Sequence, residues 1–184
     1  MDAFETMVAV LLERKGYWVR SGFKVELSKE EKRQIGCPSS PRREPDILAY
    51  KGSDNSLLVV ECKSFLNSSG VSLADFAGPR EGRRDRYQLF TDSLLRNVVF
   101  SRMETQLLEA GLCRPSPKIT LCLVAGRIRN EQERKMLRQH FEEQNWQLWD
   151  EEWLRASLSE LAKSRYENEV STIVAKILLR KCRA

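Results

Sequence analysis

Two short apolar segments carry charged residues of the kinds that bind metal ions and phosphates. The first segment begins with Asp46, and the second ends with Glu61 and Lys63. Residues 52–55 between them read Gly-Ser-Asp-Asn, which is typical of a turn, so we expect a β-hairpin. In a hairpin, Glu61 and Lys63 share one strand face and Asp46 approaches Glu61. The pattern therefore predicts two carboxylates and an ammonium converging at one end of the hairpin.

Such a group of charges suits the hydrolysis of a phosphodiester. Two neighbouring carboxylates need a cation between them, and oxygen ligands favour Mg²⁺ or Mn²⁺. The ion polarises the phosphate and activates water, while a lysine orients the water or offsets developing charge. The alternative is a set of solvated residues or a surface ion pair, since 31% of the chain is charged. Val59 and Val60 favour the first interpretation because they place the charges where a buried strand ends.

Other catalytic chemistries find little support in the composition. The chain has one histidine and five widely spaced cysteines without a CxxC pair, which argues against a zinc site. His140 is the sole candidate imidazole base for a serine or cysteine triad. We therefore expect chemistry that uses carboxylates, amines and a hard metal ion.

Length and composition indicate a globular protein with a real hydrophobic core. The chain has 184 residues, of which 41% are hydrophobic, and its net charge is +5, so disorder, collagen and coiled coil are excluded for the whole chain. The longest apolar run, residues 7–12, is far shorter than the roughly 18 residues of a membrane helix. The N-terminus lacks the basic start of a signal peptide, so we expect a cytoplasmic protein.

Hydrophobic periodicity predicts a chain of alternating helices and strands. Polar loops are expected at residues 28–44 and 64–82, and the order is α-β-β-β-α-β followed by α-β-α-α. We expect an α/β fold with a mixed central sheet flanked by helices. It forms a single domain, residues 1–184, with a core of about 1–126 and a C-terminal extension of about 127–184. Helices are predicted at 2–15, 83–110, 131–143, 153–162 and 170–178, and extended segments at 17–27, 45–50, 57–63, 119–125 and 146–149.

The charged hairpin resembles the signature of the PD-(D/E)xK phosphodiesterases. The motif reads Pro45-Asp46, then fourteen residues, then Glu61-Cys62-Lys63. The resemblance covers the first helix to the strand at 119–125, about two thirds of the chain. It is closest to Mrr-type restriction domains and archaeal-type Holliday junction resolvases. Those proteins also begin with a helix that carries a glutamate and ends at Gly-aromatic, as Glu5 and Gly16-Tyr17 do here.

This resemblance implies a restriction-endonuclease-like fold and a role for each motif residue. Asp46 and Glu61 are expected to bind Mg²⁺, or Mn²⁺ in its place, together with the backbone carbonyl of Cys62. Lys63 is the expected catalytic lysine. Glu5 is the expected additional carboxylate from the first helix, helping to hold water at the metal; alternatively, it only favours the helix dipole. The Cys62 side chain is expected on the opposite strand face as a small buried hydrophobe.

Arginines near the motif suit the phosphate backbone of DNA. Interspersed Glu81 and Asp85 leave open an ordinary charged helix start. Gln88 resembles the polar residue that many family members place near the lysine, Arg86 is its rival, and both could be solvated helix positions. Arg127 and Arg129 are a weaker candidate for extending the basic face. The candidate nucleic-acid-binding residues are Arg42, Arg43, Arg80, Arg83, Arg84, Arg86 and Gln88.

These observations together predict a Mg²⁺-dependent DNA endonuclease. The alternatives are a non-catalytic nucleic-acid-binding or assembly module with the same fold, and an RNA nuclease. Sequence-specific cleavage, junction resolution, restriction of modified DNA and mismatch repair all use this core, so the motif does not select the substrate. We expect no membrane partner and no small-molecule cofactor. A two-fold homodimer is expected, because cutting both strands of a duplex usually takes two active sites.

Overall fold

The computed structural model describes residues 2–36, 43–76, 87–165 and 167–179. These residues form a mixture of helices and strands, with a short 3₁₀ turn at Leu73–Phe76. The strands are β1 (Trp18–Ser21), β2 (Ile47–Lys51), β3 (Ser56–Lys63), β4 (Lys118–Ala125) and β5 (Gln147–Trp149). The helices are α1 (Ala3–Arg14), α2 (Lys29–Gln34), α3 (Gln88–Thr91), α4 (Ser93–Glu109), α5 (Glu131–Glu143), α6 (Glu151–Lys163) and α7 (Val170–Leu179).

The strands form one mixed sheet in the order β1-β2-β3-β4-β5. The first three strands pair antiparallel, and β4 and β5 add to β3 in parallel. This arrangement confirms the predicted α/β fold with a mixed sheet flanked by helices. The C-terminal segment takes part in the sheet, because it contributes β5 as well as three helices.

Helices cover both faces of the sheet. On one face, Leu57 and Val59 of β3 pack in a cluster with side chains of α4 and α5. On the other face, Leu58 and Val60 pack with α1, α6 and α7. A strand that is covered on both sides needs a continuous apolar run, which explains the Leu-Leu-Val-Val sequence of β3. Each of these side chains stabilises the fold by about 1.5–3 kcal/mol relative to an exposed position.

The predicted polar loop at 28–44 contains a helix that hydrophobic periodicity could not reveal. None of the residues of α2 is buried, so the helix has no apolar stripe. Its start is stabilised locally, because Ser28 and Glu31 form a capping box in which each side chain accepts from the other residue's backbone N–H. The loop prediction was therefore wrong at residues 29–34. The preceding extended segment is also shorter than predicted, since β1 spans Trp18–Ser21 only.

The long helix predicted at 83–110 is divided within the described residues. Asp92 adopts an extended backbone between α3 and α4, and its side chain accepts a hydrogen bond from the Leu95 N–H at 2.9 Å. An aspartate that caps a new helix competes with continuation of the previous one. Gly111 follows the end of α4 with a positive φ of 67°, as its predicted role as a helix stop requires. None of the described helices is long and apolar enough to cross a membrane.

Candidate functional site

The register of the β2–β3 hairpin places Asp46 beside Glu61. Ile47 pairs with Val60, so the residue before β2 lies opposite the residue after Val60. The Asp46 side chain is held there, because its Oδ2 accepts a hydrogen bond from the backbone N–H of Cys62 at 2.7 Å. This bond occupies one carboxylate oxygen and leaves the other available to a ligand. The hairpin therefore fixes the orientation of the Asp46 carboxylate.

Lys63 joins the two carboxylates. Its Nζ lies 3.3 Å from Glu61 Oε2 and 3.7 Å from Asp46 Oδ2. The three side chains are 16–24% exposed, so the cluster is partly shielded from water and still open on one side. The structure thus brings together Asp46, Glu61 and Lys63, with two negative charges against one positive charge when all three are ionised.

Glu61 has a strongly perturbed carboxyl group. Its pKa is raised to about 7, chiefly by burial and next by the nearby charge of Asp46, while Lys63 acts to lower it. The carboxyl group therefore exchanges its proton near neutral pH. A cation bound between Asp46 and Glu61 would favour the deprotonated form of Glu61, because it would supply the positive charge that Lys63 alone does not.

Cys62 turns its side chain away from this cluster, as expected. The thiol is 8% exposed and packs on the opposite face of β3, among the hydrophobic core residues beneath α1. Burial raises the pKa of the Cys62 thiol well above its ordinary value, so the sulfur stays protonated and is a poor metal ligand. Its backbone remains the relevant group, since the amide of Cys62 holds Asp46.

Glu5 lies near the cluster and also caps its own helix. Its Oε2 accepts a hydrogen bond from the Asp2 N–H at 3.0 Å, and Asp2 Oδ1 accepts from the Glu5 N–H. The charge of Glu5 also contributes to the raised pKa of Glu61. Both interpretations of Glu5 therefore have a physical basis: it stabilises the start of α1, and it adds negative potential to the site.

Tyr87 is a site neighbour that the sequence did not single out. Its ring centroid lies 6.0 Å from Lys63 Nζ, at the outer limit of a cation–π contact. The residue is 5% exposed, and its ring is held 4.7 Å from that of Phe76. Its one sequence signal is its place directly before Gln88, which is too weak to have identified it.

Gln88 contacts Arg43, which lies three positions before Asp46 in the chain. Its Oε1 accepts a hydrogen bond from Arg43 Nη1. The backbone carbonyl of Arg43 accepts from the Val25 N–H at 2.7 Å, which anchors the arginine. Arg43 Nε is buried and has no hydrogen-bond partner among the described residues. Arg42, Arg80, Arg83, Arg84 and Arg86 lie outside the described residues.

The donor set of the site is compatible with a hard divalent cation. Asp46 and Glu61 offer carboxylate oxygens, and their mutual repulsion would be relieved by such an ion. Across the described ranges, no group of three or more histidine, cysteine, aspartate or glutamate side chains is arranged to hold a metal. The available ligands are therefore two carboxylates, backbone carbonyl groups and water, a composition common for Mg²⁺.

Comparison with known proteins identifies no relative. No protein-family model, no curated protein and no solved structure matches the chain.

Proposed function

We propose that this chain is a Mg²⁺-dependent DNA endonuclease of the PD-(D/E)xK superfamily. The observation that carries the proposal is the convergence of Asp46, Glu61 and Lys63 at one end of the β2–β3 hairpin. The spacing of these residue types in the sequence supports the same conclusion. We further propose that the sheet is of the restriction-endonuclease-like type, which the antiparallel β1-β2-β3 unit and the parallel β4 support.

Each residue has a distinct task in the proposed reaction. Asp46 and Glu61 would hold Mg²⁺, with the backbone carbonyl of Cys62 as a further ligand. The bound ion would supply Lewis-acid chemistry at a phosphate oxygen. Lys63 carries a fixed positive charge at the same place, so its ammonium can orient the attacking water and stabilise the negative charge that develops on the phosphate. Glu5 would strengthen the negative potential that attracts the cation.

DNA is the proposed substrate, and a homodimer is the proposed assembly. The sequence has arginines on both sides of the motif, which supply affinity for phosphates of any base sequence. A two-fold dimer would present one site to each strand of a duplex. Arg43 is the one member of the predicted arginine set within the described residues, and its contact with Gln88 orients its guanidinium.

The test is a cleavage assay with matched variants. Supercoiled plasmid, a labelled four-way junction and a labelled RNA duplex would be incubated with Mg²⁺, Mn²⁺ or EDTA. Asp46→Asn and Lys63→Met should each lower the cleavage rate by about 10²–10³-fold, the usual effect of losing one preorganised charged group. Asp54→Asn, in the exposed turn of the same hairpin, and Lys118→Met, exposed at the start of β4, are the controls and should leave the rate unchanged.

The outcomes separate the alternatives. Metal-dependent DNA cleavage that Asp46→Asn and Lys63→Met do not reduce would refute the proposed site. A folded protein that binds DNA and cuts none of the substrates would be a non-catalytic binding module. Cleavage of the RNA duplex with the DNA left intact would identify an RNA nuclease with the same metal site.

A further inference from the structure

Two arginines follow β4 at the end of the sheet where β3 also ends and where the candidate site lies. The backbone N–H of Gly126, the first residue after β4, donates a hydrogen bond to the carbonyl oxygen of Lys63 at 2.8 Å. Arg127 and Arg129 come next, on either side of Ile128. The segment 127–129, which we call the arginine bridge, therefore begins directly after the residue that is hydrogen-bonded to Lys63.

The backbone of the arginine bridge is held in place on two sides. The Val71 N–H donates to the Arg127 carbonyl at 2.9 Å, and the Arg129 N–H donates to the Val71 carbonyl at 3.0 Å. Ile128 is 4% exposed and belongs to the core, and its N–H donates to Glu151 Oε1 at 2.8 Å. An ordered backbone of this kind presents its side chains with little loss of entropy on binding.

Two glycines make this close packing feasible. A Cβ at Gly126 would lie 2.3 Å from the Ser64 carbonyl oxygen. A Cβ at Gly70 would lie 2.9 Å from backbone atoms of the arginine bridge, and Gly70 has a positive φ of 83°. The loops after β3 and β4 thus pack backbone against backbone, which only glycine permits at these positions.

Both arginine side chains are directed away from the core. They flank the buried Ile128, whose backbone forms an isolated parallel bridge with Val71, and both arginines are exposed. Among the described residues, the one hydrogen bond of either guanidinium is a long one of 3.5 Å, which Arg127 Nη1 donates to the Leu66 carbonyl. Within the described ranges, neither arginine forms an ion pair with a carboxylate.

The arginines of α5 behave differently. Arg134 and Arg138 are paired with Asp150 and with glutamates at the start of α6. Glu151, the carboxylate beneath the arginine bridge, is engaged by Ile128 N–H and by Arg134. Glu151 is thus already paired with Arg134, and the charge of Arg127 and Arg129 is available to an external anion.

We propose that Arg127 and Arg129 contact phosphates of one nucleic-acid strand and guide that strand to the end of β3, where Lys63 lies. The inference rests on the proposed function for its choice of ligand. A guanidinium fork matches two phosphate oxygens, and two forks separated by one residue can contact neighbouring phosphates. Such contacts carry no base specificity, so the bridge contributes affinity and position for any sequence.

The test is the salt dependence of binding by the full chain in EDTA. Fluorescence anisotropy would measure its affinity for a labelled 30-base-pair DNA duplex, a DNA four-way junction and an RNA duplex over a range of KCl concentrations. Two lost phosphate contacts should reduce the slope of log affinity against log salt by about 1.8 in the Arg127→Gln/Arg129→Gln variant. Arg127→Lys/Arg129→Lys keeps the charge and should retain most of the slope.

The control removes the same charge from a distant surface. Lys118 is exposed at the start of β4 and Lys163 at the end of α6, both away from the arginine bridge, and Lys118→Gln/Lys163→Gln should leave the slope unchanged. Thermal unfolding of each variant would confirm that it is folded. An unchanged slope in the Arg127/Arg129 variant, an equal loss in the control, or a wild-type chain that binds none of the three probes would overturn the inference.

The outcomes also distinguish the inference from the proposed function. A reduced slope together with no cleavage by the wild-type protein would support the arginine bridge and refute the nuclease. Metal-dependent cleavage abolished by Asp46→Asn, with an unchanged slope in the Arg127/Arg129 variant, would support the nuclease and refute the bridge.

Discussion

Replacing Glu61 by glutamine should change how the stability of the protein depends on pH. Glu61 is largely buried beside Asp46, and its pKa in the folded protein is raised to about 7, compared with an ordinary value of 4.5. Protonated glutamate and glutamine have nearly the same shape and both are neutral. The two proteins should therefore be similarly stable near pH 5 and should differ near pH 8, where folded wild type must hold a buried negative charge.

The sign follows from proton binding. Between pH 4.5 and pH 7 the folded state binds the Glu61 proton more tightly than the unfolded state, so the free energy of unfolding falls as pH rises through this window. Above pH 7 both states are deprotonated and this contribution stays constant. One pKa unit corresponds to about 1.4 kcal/mol, so the loss is about 3 kcal/mol between pH 5 and pH 8. Glu61→Gln removes this loss.

Urea unfolding at pH 5, 6, 7 and 8 in EDTA measures the effect. The free energy of unfolding of Glu61→Gln minus that of wild type should rise by about 3 kcal/mol across the series. Glu142→Gln, at an exposed position of α5, removes one carboxylate elsewhere and should run parallel to wild type. Parallel curves for Glu61→Gln and wild type would refute the assignment of a buried, charge-repelled carboxyl group at this position.

Two further predictions concern residues that support the site. Tyr87→Leu should lower kcat in the proposed DNA cleavage about 10-fold with little change in KM, because the ring lies beside the Lys63 ammonium. Tyr87→Phe should retain activity, and equal losses in both variants would show that the ring is not the active feature. Gly126→Ala should lower the free energy of unfolding by about 1–3 kcal/mol in urea titrations, because its Cβ would clash with the Ser64 carbonyl. Gly52→Ala is the control and should be nearly neutral, because a Cβ at this position meets nothing closer than 3.8 Å.

Most of the fold could be predicted from local sequence patterns. The β2–β3 hairpin follows from two apolar runs and a Gly-Ser-Asp-Asn turn, and its register was then sufficient to place Asp46 next to Glu61. The errors occur where stability comes from caps instead of burial. Helix α2 has no buried residue and depends on the Ser28–Glu31 capping box, and the break before α4 depends on the Asp92 side chain.

The site could be predicted only in part, because contacts between distant segments leave no periodic signal. Asp46, Glu61 and Lys63 belong to one hairpin, and hairpin geometry brings them together. Tyr87 reaches Lys63 from a segment 24 positions later in the chain, after a stretch that the structure does not describe. The contact between Arg43 and Gln88 likewise joins segments 45 residues apart, and no sequence pattern relates them.

The charge balance of the site is itself an argument for a cation. Buried ion pairs usually contribute little net stability, and well-packed apolar residues would serve the fold equally well. Lys63 contacts both carboxylates, yet burial and Asp46 still raise the pKa of Glu61 to about 7. One ammonium therefore does not compensate two partly buried carboxylates. A second positive charge between Asp46 and Glu61 would complete the balance, and a divalent ion supplies it together with the chemistry that phosphodiester hydrolysis requires.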